Sequence, residues 1–363
     1  MTVRRTIATA RASPSAIDLF SGCGGLSVGL ELAGFSVRAA VEIDIKAQET
    51  YRANHPQVRL YCGNIRELSA AKILRDTGLA PGDLDLLAGC PPCQGFSRLR
   101  TRNRSVAVPD VRNDLVRDFL RFIRVMRPKT VMLENVPGLR QDHRFANLCT
   151  ALEAMGYRVV TADLDAADYS VAQRRKRLIL LASRVHEPRL ADKAKLRVTV
   201  RDVIADLDDP SETLDQLHAI PENRSSAVMS LIRLIPLDGG SRSQLPQEMQ
   251  LGCHTRSDGF HDVYGRMSWG DVAPTITSGC SNPSKGRFLH PSKHRTITLR
   301  EAALLQGFPA DYWFDITHGK ESIALMIGNA LPPPFISAHA RELRRGIQIF
   351  GSDGPLSSPK FRR

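Results

Sequence analysis

The sequence predicts an α/β protein: an open, parallel sheet covered by helices on both faces, with a second, smaller domain after it. Three observations carry this reading. Short apolar runs alternate with helical patterns through the first half of the chain. From about Glu187 to Lys293 the pattern decays, Pro and Gly become frequent and strand signals shorten. The length, 363 residues, suits about two domains.

The strand-like runs, in order, are Ala16–Phe20, Ser36–Glu42, Leu84–Ala88, Thr130–Leu133, Tyr157–Ala162 and Arg177–Ala182. The clearest helix is Asp114–Met126, which sets Leu115, Phe119, Phe122, Ile123 and Met126 on one face. In the loop-rich stretch, Val200–Leu207 and Ala227–Ile235 read as helices. Regularity returns at Leu299–Gln306 and Ile323–Gly328, and Phe335–Phe350 reads as a closing helix. The polar tail Gly351–Arg363 and the Arg/Ser/Thr-rich first residues read as frayed ends. The chain carries 50 Lys and Arg against 38 Asp and Glu, a formal net charge of +12, which suits a polyanionic partner. No apolar run approaches the length of a membrane span. Seven cysteines, an odd number in a chain this long, argue for a reducing compartment rather than a disulfide scaffold.

Five motifs carry chemistry. The first runs from Asp18 through Phe20, Gly22, Gly24 and Gly25 to Gly29, after a strand and opening a helix, where glycines let a ligand approach the backbone. It fails as a dinucleotide fingerprint because Ser27 stands where the third glycine belongs. Glu42 ends the next strand and suits a carboxylate gripping a ribose diol, so the pair suggests a nucleoside cofactor. The second is Gly89-Cys90-Pro91-Pro92-Cys93-Gln94-Gly95-Phe96-Ser97, a thiol on a proline-stiffened turn at a strand end, poised to be a nucleophile. Zinc binding and thioredoxin-like redox chemistry compete for Cys90 and Cys93. The first lacks a second Cys-x-x-Cys pair, and the second leaves the Gly-rich turn without a role. The third is Glu134-Asn135-Val136, a carboxylate whose burial at a strand end would favour a proton-sharing role. The fourth is Gln173-Arg174-Arg175-Lys176-Arg177, where strand alternation points Arg175 and Arg177 together. The fifth is the turn Gly328-Asn329-Ala330-Leu331-Pro332 before the last helix.

Taken in order, these motifs resemble the DNA (cytosine-5)-methyltransferase family. The resemblance extends to Arg295, Thr298, Arg300, Glu301 and the run Gln306-Gly307-Phe308-Pro309. It implies a class I S-adenosylmethionine-dependent methyltransferase (Rossmann-like) sheet formed by residues 1–185 and 326–363. Residues 186–325 would be a small target-recognition domain and hinge. It assigns S-adenosylmethionine contacts to Phe20, Glu42, Ile43, Asn64, Pro92 and Asn329, with Asp18, Gly22 and Gly24 shaping the methionine pocket. Asn64 and Ile43 depart from the Asp and the large aromatic usual at these places.

The resemblance also implies a mechanism. Carbon 5 of cytosine is a poor nucleophile until a thiolate adds to carbon 6, the role assigned to Cys93. Protonated Glu134 would meet ring nitrogen 3, with Arg177 at the ring oxygen and Arg175 supporting the network. The base must be flipped out of double-stranded DNA. Gln94, Ser97, Arg98, Arg100, Arg102, Arg104 and Arg256 are the expected DNA contacts. Those from Arg98 to Arg104 would form a mobile loop that closes over the duplex. The second domain should read neighbouring bases in the groove, with Arg242, Arg256, Arg266, Lys285 and Arg287 as candidates, each more readily a phosphate contact or a solvated residue than a base reader. Two other functions compete. A tRNA cytosine-5 methyltransferase would carry a Cys-Phe-Thr signature, and none occurs between Glu187 and Lys293. A catalytically inactive DNA-binding homologue would have no need of a thiol beside a buried carboxylate. The remaining expectations are a monomer in bacterial cytoplasm at the nucleoid, with no metal and no membrane. A cognate restriction endonuclease would act independently.

Overall fold

The computed structural model describes residues 13–92, 114–249 and 262–350. Its seven-stranded sheet contains β1 (Ser15–Leu19), β2 (Ser36–Glu42), β3 (Arg59–Cys62), β4 (Leu86–Gly89), β5 (Thr130–Asn135), β6 (Arg158–Asp165) and β7 (Lys176–Ser183). The spatial order is β3-β2-β1-β4-β5-β7-β6. The central strands β4 and β5 are buried along their whole length, which is why they begin as unbroken apolar runs. β3 has no such run because it is an edge strand with partly exposed residues, and it escapes the sequence reading.

Pairing is parallel from β3 through β5, whereas β7 runs antiparallel to both β5 and β6. This corrects the expected all-parallel sheet. Residues 166–175 between β6 and β7 hold a 3₁₀ turn and are too few for a crossover helix, so the chain doubles back. The antiparallel pairing also extends β5 beyond its predicted end, placing Glu134 opposite Ile179 and Asn135 opposite Leu178.

Helices cover both faces. On one, Ile17, Leu19, Leu87, Val131 and Leu133 pack with Ile73 and Leu74 of α3 (Ala70–Asp76) and with Phe119, Phe122 and Ile123 of α4 (Leu115–Met126). Leu148 and Leu152 of α5 (His143–Ala154) complete that layer. On the other, the alternate residues Ala16, Leu86, Ala88 and Met132 pack with Leu26 and Leu30 of α1 (Gly25–Leu32) and Tyr51 of α2 (Ile45–Asn54). Phe335, Ile336 and Leu343 of the last helix, α10 (Pro333–Phe350), belong to the same layer. A Cβ on Gly29 would lie 2.6 Å from that of Ile336, so glycine is what lets α1 and α10 approach closely.

A further core joins α6 (Val200–Ile204), α8 (Leu299–Gln306) and α9 (Lys320–Asn329) to Cys23, Val28 and Ala47 of the first half. Residues 299–327 therefore pack against the Gly-rich turn and its helix. A smaller cluster holds Leu231, Ile232 and Ile235 from the region of α7 (Ser226–Leu234) with Tyr264 and Leu289. Among the described residues, pairing in this region is reduced to isolated bridges, one of them Arg266 to Leu289. Arg266 fastens the loops. Fully buried, its guanidinium donates to the carbonyls of Ile232, Ile235, His290 and Lys293 and to His294 Nδ1, over 2.5–3.1 Å. Arg287 likewise donates to the carbonyls of Gly239, Gly240 and Arg266, and Arg242 is buried. The expectation that Arg266 and Arg242 meet phosphate or solvent is thereby corrected: their side chains serve the interior. Lys285 is exposed. Among the described residues no helix is long and apolar enough to cross a membrane.

Candidate active site

At the carboxyl ends of β1, β2, β4 and β5 opens a cavity of about 670 Å³. One wall comes from the Gly-rich turn. Phe20 leaves β1 with φ 66°, a left-handed conformation that costs a non-glycine residue about 1–3 kcal/mol and concentrates at functional sites. Gly24 caps α1 at φ 107°, where a Cβ would run into Tyr312 and His55. The Tyr312 hydroxyl donates to the Cys23 carbonyl, fastening the turn from the far end of the chain.

Glu42 ends β2 and faces the cavity. Its Oε2 accepts from the Gly22 N–H at 2.7 Å, and Oε1 accepts from those of Ile43 and Asp44, each at 2.8 Å. Burial raises its pKa, and the three N–H donors oppose that shift. Ile43, 64% exposed, extends the wall. Asn64 also lines it, but its side-chain oxygen already accepts from the Arg66 N–H at 3.1 Å. Asn329 enters as the last residue of α9. Gly328 is required there because a Cβ would strike the backbone of Thr277 and Ser278.

The opposite wall is ionic. Glu134, 1% exposed, forms an ion pair through Oε1 with Arg177 Nε at 2.8 Å and accepts from the Cys90 thiol on Oε2 at 2.9 Å. Arg175, Arg177, Cys90, Pro92 and Glu134 all line the cavity. Arg175 precedes β7 and donates to the carbonyls of Ile276 and Gly328, at 3.0 and 3.1 Å. Burial, reinforced by Arg177, pulls its pKa down to about 9. Gln173 is fully buried, donates to Gln306 and accepts from the Ile276 N–H, and Gln306 donates to the Ala330 carbonyl. The Gln-x-Arg-x-Arg motif thus fastens the 276 and 328–330 segments to the cavity. Sequence reading placed Asn135 in its third motif without a role: its amide donates to the Pro91 carbonyl at 2.9 Å and steadies the cysteine turn. Sequence reading missed Tyr312 and the contact between Cys90 and Glu134.

Phe20, Gly22, Glu42, Ile43, Asn64, Pro92, Glu134, Arg175, Arg177 and Asn329 are brought to this one cavity. Asp18 and Gly24 stand behind its wall instead. Cys93, Gln94, Ser97, Arg98, Arg100, Arg102, Arg104 and Arg256 lie outside the described residues. Cys23 and Cys280 are buried thiols pushed up to about 12 by that burial, so neither is poised to ionise near neutral pH.

Asp18 is fully buried and accepts from the Ser27 hydroxyl at 2.7 Å. Burial raises its pKa from 3.8 to about 7. The folded state therefore holds the proton more tightly than the unfolded one. The associated stability is complete below pH 3.8 and is lost as pH rises through 7. Asp18→Asn, which stays neutral and keeps an acceptor for Ser27, should gain on the wild type across that window by up to about 4 kcal/mol. Urea unfolding at pH 5 and pH 8 reads the difference. Parallel curves for the two proteins would mean that Asp18 is not held neutral.

Comparison with known proteins agrees with this geometry. The C-5 cytosine-specific DNA methylase family model matches residues 15–345. The chain is 34% identical over 348 residues to the type II methylase M.HgiDII of Herpetosiphon aurantiacus, covering 92% of this chain and 95% of that protein. It is 32% identical to the type II methyltransferase M.XorII of Xanthomonas oryzae pv. oryzae, covering 92% and 85%. A crystal structure of a DNA modification methyltransferase encoded within an E. coli prophage superposes with a TM-score of 0.67 at 24% identity. That match covers 93% of this chain and 100% of the other, a likeness in fold. With a class I methyltransferase sheet and the family's motifs spread over nearly its whole length, the chain belongs to the C-5 cytosine-specific DNA methylase family.

Proposed function

We propose that the protein methylates carbon 5 of a cytosine flipped out of a specific sequence in double-stranded DNA, in the manner of a type II restriction-modification methylase. The observation that carries this reading is the single cavity with two unlike walls. One is suited to a nucleoside, and the other holds a buried carboxyl between an arginine and a thiol.

The residues present fit S-adenosylmethionine. Glu42 offers a carboxylate to a ribose diol, and Phe20, Ile43, Ile65 and Pro92 offer apolar surface to a purine. When bound, this cofactor supplies the methyl group. On the other wall, Glu134 would hold a proton at ring nitrogen 3 while the Cys93 thiolate adds to carbon 6, leaving carbon 5 nucleophilic. Arg177 would meet the ring oxygen, and Arg175 keeps the 276 and 328 segments in place behind it. Once carbon 5 is methylated, loss of its proton to a base, water in this reading, expels the thiolate. Arg98, Arg100, Arg102 and Arg104 would grip phosphates. The net charge of +12 supports a duplex partner. The relatives' names support an enzyme of the type II kind, which we read as a monomer in bacterial cytoplasm with any cognate endonuclease acting separately.

A duplex carrying 5-fluorocytosine at the target tests the reading. Fluorine cannot leave as a cation, so the wild type should form a denaturation-resistant adduct when cofactor is present, and Cys93→Ser should form none. An adduct that survives Cys93→Ser but disappears in Cys90→Ser would move the nucleophile to Cys90.

A further inference from the structure

Cys90 has no part in the reaction as written above, yet its thiol touches a group that does. β4 and β5 are parallel neighbours with Gly89 paired to Leu133, so the next step of the register sets Cys90 beside Glu134 where the cavity opens. The thiol donates to Glu134 Oε2 at 2.9 Å, while Oε1 is taken from the other side by Arg177. The turn bearing the thiol is itself fixed, by the Cys90 N–H on the Leu19 carbonyl at 3.3 Å and by Asn135 on the Pro91 carbonyl. Space filling alone would not select this arrangement. The buried thiol of Cys23, by contrast, meets a backbone carbonyl, that of Met326.

We propose that Cys90 is a positioning residue for Glu134: its thiol fixes the rotation of the carboxyl group. The proposal rests on the reading of Glu134 given above. The charged and titratable groups facing this carboxyl among the described residues are Arg177 in β7, Arg175 just before it and Cys90 after β4. Taking away the thiol removes the hydrogen bond on Oε2 and frees the carboxyl group to turn away from the base.

The test is the single-turnover rate on a duplex that the wild type methylates, measured with DNA and cofactor saturating. Cys90→Ala should slow it about tenfold, the size expected for one lost donor, with the affinities for cofactor and duplex unchanged. Cys90→Ser, which keeps a donor, should recover most of that loss. Should the alanine protein not fold, Cys90→Val keeps the volume without the donor and gives the same comparison. Carbon-13 NMR of labelled glutamate carboxyls, assigned with Glu134→Gln, reads the contact without chemistry. A Glu134 carboxyl signal that does not move when the donor is removed overturns the proposal. A signal that moves while the rate stays put supports the Cys90 contact and overturns the role of Glu134 in the reaction.

Discussion

Replacing Glu134 with glutamine should slow methyl transfer by about 10²–10⁴-fold while leaving cofactor affinity nearly unchanged. The substitution is nearly isosteric. The amide oxygen can still meet Arg177 Nε, and the amide NH2 can donate to the Cys90 sulfur in place of accepting from it, so the wall should survive. What disappears is a proton that can be shared with the base as charge builds in its ring. Because Glu42 and Phe20 belong to the other wall, calorimetry with cofactor should scarcely register the change. Single-turnover methylation and calorimetry on the same preparation make the measurement. A rate within a factor of three of wild type would remove Glu134 from the chemistry.

Arg266→Met should destabilise the region around α7 by about 4 kcal/mol or more. Four backbone carbonyls, those of Ile232, Ile235, His290 and Lys293, lose the donor they share in the interior. Leaving one buried acceptor unsatisfied costs about 1–3 kcal/mol. Lysine should not rescue the loss, because an ammonium is a compact donor group that cannot span carbonyls spread around a planar guanidinium. Limited proteolysis should then cut within residues 230–295, and duplex binding should fall while cofactor binding persists. An unchanged urea midpoint would mean that water replaces the guanidinium at little cost.

The parts legible in the sequence are those where local chemistry and position coincide. Gly22 and Glu42 each announce themselves by residue type at the end of an apolar run, and the cavity collects both. Glu134 was legible in the same way, although its strand runs two residues further than the apolar pattern because β7 pairs with it. The direction of β7 was not legible, since periodicity says which residues are buried and nothing about which way a strand runs. Arg266 misled for a related reason. A single arginine in a basic, Pro- and Gly-rich stretch looks the same whether it meets phosphate or backbone carbonyls. Only tertiary packing brings the carbonyls of residues 232, 235, 290 and 293 around one point. Tyr312 and the role of Asn135 escaped because each acts on the backbone of a distant segment, which no local pattern records.

The seating of α10 against α1 has a consequence for how the protein comes into being. On the ribosome, all seven strands emerge before α10 is made, and at ordinary elongation rates the interval is on the order of ten seconds. During that time α1 and the sheet face beneath it lack Phe335, Ile336 and Leu343, and the cavity lacks the wall supplied by Asn329, Ala330 and Leu331. A nascent chain can therefore possess every residue from Asp18 to Arg177 and still have no finished pocket. Methylation should begin with the completed polypeptide, and a premature stop anywhere before residue 329 should leave an inert and sticky fragment rather than a weak enzyme.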